Sequence, residues 1–180
     1  MWIIVIIIIV IILLIWYIMS RNYQIDAVPN LDIVKYMGTW YEIAKFPTSF
    51  QQNCINSTAI YSLLYLEPVP TISVDNRCQI GENIIQARGL AIPSPNSKII
   101  PGTNILTPGS LSLKIGNNVS SYNVIYIDKN YQYSIVSSDK NNLWILSRYP
   151  NIDNITYNYL TSIAKEKGYD ISKLARSNIQ

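Results

Sequence analysis

The stretch YMGTWYEIAKFPTSF, Tyr36 to Phe50, decides how the rest of the chain is read. A glycine stands two residues before a tryptophan, a short apolar run follows, and Pro47 ends it. Period-2 alternation puts Trp40, Glu42 and Ala44 on one face of a strand and Tyr41 and Ile43 on the other. Gly38 lets the chain turn tightly into that strand where a Cβ would clash. If Trp40 points inward, Glu42 does too, and a carboxylate inside is expensive unless it is paired. Glu42 therefore reads either as a glutamate hydrogen-bonded inside the fold or as a polar anchor for a ligand head group.

Downstream of this strand the pattern repeats as short runs broken by turn signals. NSTAIYSLLYL (Asn56 to Leu66), TISVDNRC (Thr71 to Cys78), NIIQARGLAI (Asn83 to Ile92) and SLSLKIG (Ser110 to Gly116) are the next four. SYNVIYID (Ser121 to Asp128), YQYSIVSS (Tyr131 to Ser138) and NLWILSRY (Asn142 to Tyr149) bring the total to eight. One helix follows, with Ile152, Ile155, Tyr159 and Ile163 as its apolar stripe and Gly168 as its stop after a basic last turn. Eight consecutive antiparallel strands suit an open sandwich or an up-and-down barrel. A barrel removes the edge strands and leaves an interior for one small ligand. The single helix then has to pack outside.

Upstream, Trp2 to Met19 is uninterrupted apolar sequence without a charge. A run of about 18 apolar residues suffices for a membrane-spanning helix, and the aromatics near its ends suit the interface. It exceeds the 7 to 15 residues of a signal-peptide core and has no basic residue before it, which favours an uncleaved anchor over a cleaved signal. The expected organisation is residues 1–20 as anchor or signal segment, 21–35 as polar linker, and 36–180 as one domain.

Composition narrows the function classes. The net charge of +3 comes without a clustered basic run, so no nucleic-acid partner is expected. The chain has no histidine, which removes the commonest general base and the usual zinc ligands; no metal and no cofactor are expected. Two cysteines behind a membrane-targeting segment suit an oxidising compartment. Asn56, Asn118 and Asn154 each begin an Asn-X-Ser/Thr sequon and are candidates for glycosylation there.

Three segments in order carry a family resemblance. PNLDIVKYMGTWYEIAKFPTSFQQNC, YNVIYIDKNYQYSIV and LWILSRYP resemble the three conserved regions of the lipocalins. The wording GTWYEIA…NVI…WILSR is similar to the subgroup of bacterial outer-membrane lipocalins and apolipoprotein D. The resemblance covers about residues 28 to 175. It implies an all-β, eight-stranded antiparallel up-and-down barrel with one C-terminal helix outside. It implies that Gly38, Trp40 and Arg148 close one end of the barrel as structural residues, and that Cys54 and Cys78 pair as a disulfide. It also implies a binding protein, with a small hydrophobic ligand such as a fatty acid or lysophospholipid in the cavity, and no enzyme. Glu42, Ala44, Asn123 and Ile125 are the candidate ligand contacts.

Two alternatives stay open. One is a surface protein that binds a partner or sequesters a mediator through loops such as PSPNSKIIPGTNILTPGS (Pro93 to Ser110); that partner is unknown. The other is a lipid- or prostanoid-converting enzyme with Cys54 as its thiol, for which no histidine is present to lower the thiol pKa. The bacterial relatives have an acylated cysteine after the apolar segment, where this chain reads MSRN. Protein anchoring is therefore expected in place of lipid anchoring, with the barrel on the extracellular or luminal side, or secreted if the segment is cleaved.

Overall fold

The computed structural model describes residues 2–21, 25–48, 51 and 53–177. Eight strands form the body: β1 (Gly38–Lys45), β2 (Ile55–Tyr65), β3 (Thr71–Ile80), β4 (Asn83–Pro93), β5 (Ser110–Ile115), β6 (Asn118–Ile127), β7 (Tyr133–Asp139) and β8 (Asn142–Ser147). Each pairs antiparallel with its neighbour in sequence, and β8 pairs back onto β1 to close the barrel. A short strand, Ala175–Arg176, adds to the upper part of β1. The expected barrel is the observed one, with strand ends displaced by at most three residues.

Closure requires tight contacts that particular residues permit. A Cβ at Gly89 would stand 2.2 Å from the Lys114 carbonyl oxygen, so only glycine lets β4 lie this close to β5. Register shifts interrupt the β1–β8 and β6–β7 ladders. Glu42 opposes Leu146 while Ala44 opposes Ile145, leaving Ile43 as an extra residue in β1. Such a bulge bends the strand and moves later residues to the other face.

Two apolar cores result. The inner one fills the lower barrel around Trp40, Tyr36, Tyr61, Val74, Leu111 and Val136. The outer one lies between the barrel wall and helix α3 (Asn154–Glu166) and includes Ile43, Ala44, Ile125, Ile135, Ile145 and Leu160. Asp153 caps α3 by accepting from the Thr156 N–H at 2.7 Å. The helix packs outside as expected, and Ile152 and Ile163 of the expected stripe pack on the outer core, but Ile155 is 84% exposed and Tyr159 57%. Leu160 and Ala164 are buried instead, and the small Ala164 lets the helix approach the wall.

The polar linker is not wholly a linker. Leu31 and Ile33 are fully buried in the inner core. Leu31–Asp32 pairs with Ile105–Leu106, and a single helical turn, α2 (Ile33–Tyr36), follows with Asp32 as its N-cap. The α2 turn lies across the lower end of the barrel. The segment between β4 and β5 is likewise not a free loop: Leu106 is fully buried, and Lys98–Ile99 pairs with it as a hairpin.

At the N-terminus the expected membrane span takes the form of a helix, α1 (Trp2–Arg21). Its described side chains, Trp2 and Val5 to Tyr17, are all exposed. As a correction to the expected transmembrane helix, no helix among the described residues is long and apolar enough to cross a membrane.

Candidate functional site

Arg148 lies at one end of the barrel, across Trp40. Its guanidinium carbon lies 3.8 Å from the centroid of the Trp40 ring. Its N–H groups donate to five backbone carbonyls: Thr39 (2.8 Å), Lys35 (3.0 Å), Tyr36 (3.2 Å), Met37 (2.7 Å) and Tyr131 (3.3 Å). The α2 turn thus presents its orphan carbonyls to a cation, as helix C-termini favour. The Trp40 indole N–H donates to the Tyr36 carbonyl at 2.9 Å. Gly38 has φ +98, and a Cβ there would come within 3.2 Å of the Arg148 guanidinium. All three residues expected to close the barrel therefore meet at this end.

Directly above lies a tyrosine floor that sequence reading missed. The Tyr122 hydroxyl bonds those of Tyr36 (2.8 Å) and Tyr61 (3.0 Å), and the Tyr36 hydroxyl also bonds the Ser134 hydroxyl at 3.2 Å. Burial pushes the Tyr36 phenol up to about 12, with the Ser134 and Tyr122 hydrogen bonds and the Arg148 charge opposing the shift. Tyr61 and Tyr122 are raised by the same desolvation. The hydroxyls are thus protonated and act as neutral donors and acceptors. Their three positions are widely spaced in sequence, so only the closed sheet brings them together.

Around this floor a cavity of about 10 Å³ remains, walled by Ile72, Val74, Ala91, Leu111 and Leu113. The floor is packed solid. Higher up, the lumen face of β4 continues from Ala91 through Gly89 and Ala87, and that of β5 from Leu111 through Leu113 to Ile115. Gly89, Ala87, Leu113 and Ile115 are only half-buried, so along β4 and β5 the upper lumen, the cup of the barrel, is lined by small and aliphatic residues and is less filled than the floor.

The expected ligand contacts separate into two groups. Glu42 faces the inside of the wall but is fully engaged. Its carboxylate accepts from Gln51 Nε2 (3.0 Å) and Ser177 Oγ (2.9 Å) and is paired with Lys45 Nζ at 2.8 Å. Ala44 and Ile125 belong to the outer core beneath α3 and face away from the lumen. Asn123 is buried with its amide donating to the Ser137 carbonyl at 3.1 Å. On β6 the lumen residues are Tyr122 and Val124. Both faces of β6 are apolar because α3 covers the outer one, so alternation alone could not assign the inner face.

Cys54 and Cys78 form a disulfide with Cα atoms 5.4 Å apart, tying the loop after β1 to β3. Asn118 is exposed at the turn between β5 and β6. Asn154 Oδ1 accepts from Arg176 at 3.1 Å, and Asn56 Nδ2 donates to Gln79 at 3.0 Å.

Residues 31–178 match the family model of a lipocalin-like domain. A protein of Acanthamoeba polyphaga mimivirus provisionally named a lipocalin is 51% identical over 177 residues, covering 98% of this chain and 100% of that one. The outer membrane lipoprotein Blc of Escherichia coli K12 is 32% identical over 158 residues, covering 83% of this chain and 80% of the relative. Among solved structures, insecticyanin from the tobacco hornworm Manduca sexta superposes with a TM-score of 0.64 at 19% identity, over 87% of this chain and 85% of that one. That likeness concerns the fold alone.

Proposed function

The chain belongs to the lipocalin-like family, and from that premise we propose that it is a binding protein that holds one small hydrophobic ligand, such as a fatty acid or lysophospholipid, in the upper barrel. The observation that carries this reading is the contrast between a packed tyrosine floor and half-buried Ala87, Leu113 and Ile115 above it. An apolar chain entering the cup would bury its own surface and theirs, at about 25 cal/mol per Å² before association costs. The tyrosine hydroxyls end the apolar space below. The test is displacement of a fluorescent fatty acid from the full chain. A Kd near micromolar, about −8 kcal/mol, is expected. Ala87→Phe, which fills the cup, is expected to weaken binding at least tenfold while the protein still melts cooperatively. A folded protein that binds no fatty acid, lysolipid, retinoid or steroid would refute the reading and leave a partner-binding surface protein as the account.

The same proposal includes membrane attachment through α1, with the barrel on the extracellular or luminal side. A helix whose described side chains are all apolar and exposed is stable only when something apolar covers it. Lipid suits a helix apolar on every side, and the relative from Escherichia coli is itself an outer membrane lipoprotein. The disulfide agrees with an oxidising compartment. Liposome flotation should carry the full chain to the top fraction. A mature N-terminus near residue 21 would instead establish a cleaved signal and a secreted barrel.

A further inference from the structure

Strands β1 to β8 carry four cations, Lys45, Arg77, Arg88 and Lys114, and three acids, Glu42, Asp75 and Asp139. The β3–β4 and β4–β5 ladders run without a register shift. Alternation from Val74, Ala91 and Leu113, which wall the floor cavity, therefore holds along these strands up to the mouth. It turns Asp75, Arg77, Arg88 and Lys114 to the outer surface, where Asp75 Oδ2 lies 2.7 Å from Arg77 and 3.8 Å from Arg88. Lys45 and Glu42 neutralise each other at 2.8 Å, and the Lys45 ammonium is buried. Asp139 is exposed at the upper end of β7 and accepts from the Asn141 N–H at 2.7 Å. Glu82 and Lys140 lie in turns at the mouth. No charged group on the eight strands is left to meet a ligand's charge inside the lumen.

The wall formed by β2, β3 and β4 offers an amide instead. Asn76 stands on the lumen face of β3, one step above Val74. Its neighbours across the sheet are Ala59 on β2 and Ala87 on β4, both too short to cover it, and Asn76 is half-buried. Its amide has no hydrogen-bond partner among the described residues. From Asn76 to the end of β3 at Ile80 the wall rises at most about 13 Å, at ~3.3 Å per residue.

We propose that Asn76 selects for a neutral head group: the cup takes a medium-chain lipid whose hydroxyl lies on the Asn76 amide and whose chain runs up toward the mouth, in preference to the corresponding carboxylate. This deepens the reading of the upper barrel as a ligand cup and rests on it. A hydroxyl both donates and accepts, and an amide answers both, with Oδ1 accepting and Nδ2 donating. A carboxylate brought to the same depth loses its water and gains no cation, a far larger cost. A fatty acid therefore binds the other way up, by its chain alone, with its carboxylate in water at the mouth.

The experiment is an NMR titration of the full chain, ¹⁵N-labelled and held in amphipol, with 1-octanol and with octanoate at pH 8. Octanol should bind saturably and move the side-chain amide resonance of Asn76. Octanoate should bind at least tenfold more weakly and leave that resonance in place. Asn76→Leu, close in size and without the amide, should weaken octanol at least fivefold and leave octanoate unchanged. If that variant fails to fold, the amide resonance of the unaltered protein decides. Octanoate as tight as octanol, octanol that saturates without moving the amide, or unchanged octanol affinity in folded Asn76→Leu would each overturn the selection by Asn76 and leave the cup standing. Binding of neither ligand would overturn the cup, and this inference with it.

Discussion

Arg148→Ala tests the closed end most directly. The substitution removes the guanidinium that lies 3.8 Å from the Trp40 ring and donates to five carbonyls. Only the two shortest bonds are counted, to Met37 at 2.7 Å and Thr39 at 2.8 Å. Hydrogen bonds to charged groups contribute about 1.5 kcal/mol each at the low end. The cation–π contact adds about 1 kcal/mol at a half-buried site. The expected loss is therefore about 4 kcal/mol, or roughly 8 to 16 °C in Tm for a domain of this size. Arg148→Lys keeps the charge but replaces a planar fork with three donors on a flexible stem, so it should recover less than half. Urea denaturation followed by tryptophan fluorescence measures both, with a double-mutant cycle against Trp40→Phe to isolate the ring contact. An Arg148→Ala protein within 1 kcal/mol of the parent would refute this account of closure. So would a Lys variant equal to Arg, which would show that charge alone suffices.

Alkaline pH should destabilise the barrel through its tyrosine floor. Burial raises Tyr36 to about 12, above its unfolded value near 10, so the folded state holds that proton longer. Its contribution is complete below pH 10 and is lost as pH rises from 10 through 12; two pKa units correspond to about 3 kcal/mol. The urea midpoint should hold steady from pH 8 to 9.5 and fall above pH 10, with Tyr36→Phe flattening the fall; equal midpoints at pH 8 and 11.5 would contradict this. Replacing Cys54 and Cys78 together with serine should cost about 3 kcal/mol on the chain-entropy view, for a sequence separation of 24. Thiol titration of the unreduced, denatured parent should find no free thiol, and finding two would show that the bond does not form.

Much of this architecture was legible in the chain itself. Alternating runs between turn signals located eight strands, because a strand half-buried in a barrel writes its two faces into the sequence. The meeting of Gly38 and Trp40 with Arg148 was implied by the family resemblance and not by the alternation pattern. What tertiary structure alone decided is which face looks inward. The extra residue Ile43 turns Ala44 out of the lumen and under α3, and an apolar outer face on β6 makes Ile125 indistinguishable from a lumen residue by pattern. The burial of Leu31 and Ile33 in an otherwise polar segment depends on an open barrel end that exists only once the sheet has closed. The tyrosine floor has the same origin: it is assembled from Tyr36, Tyr61 and Tyr122, far apart along the chain, and local periodicity carries no information about which distant side chains will meet.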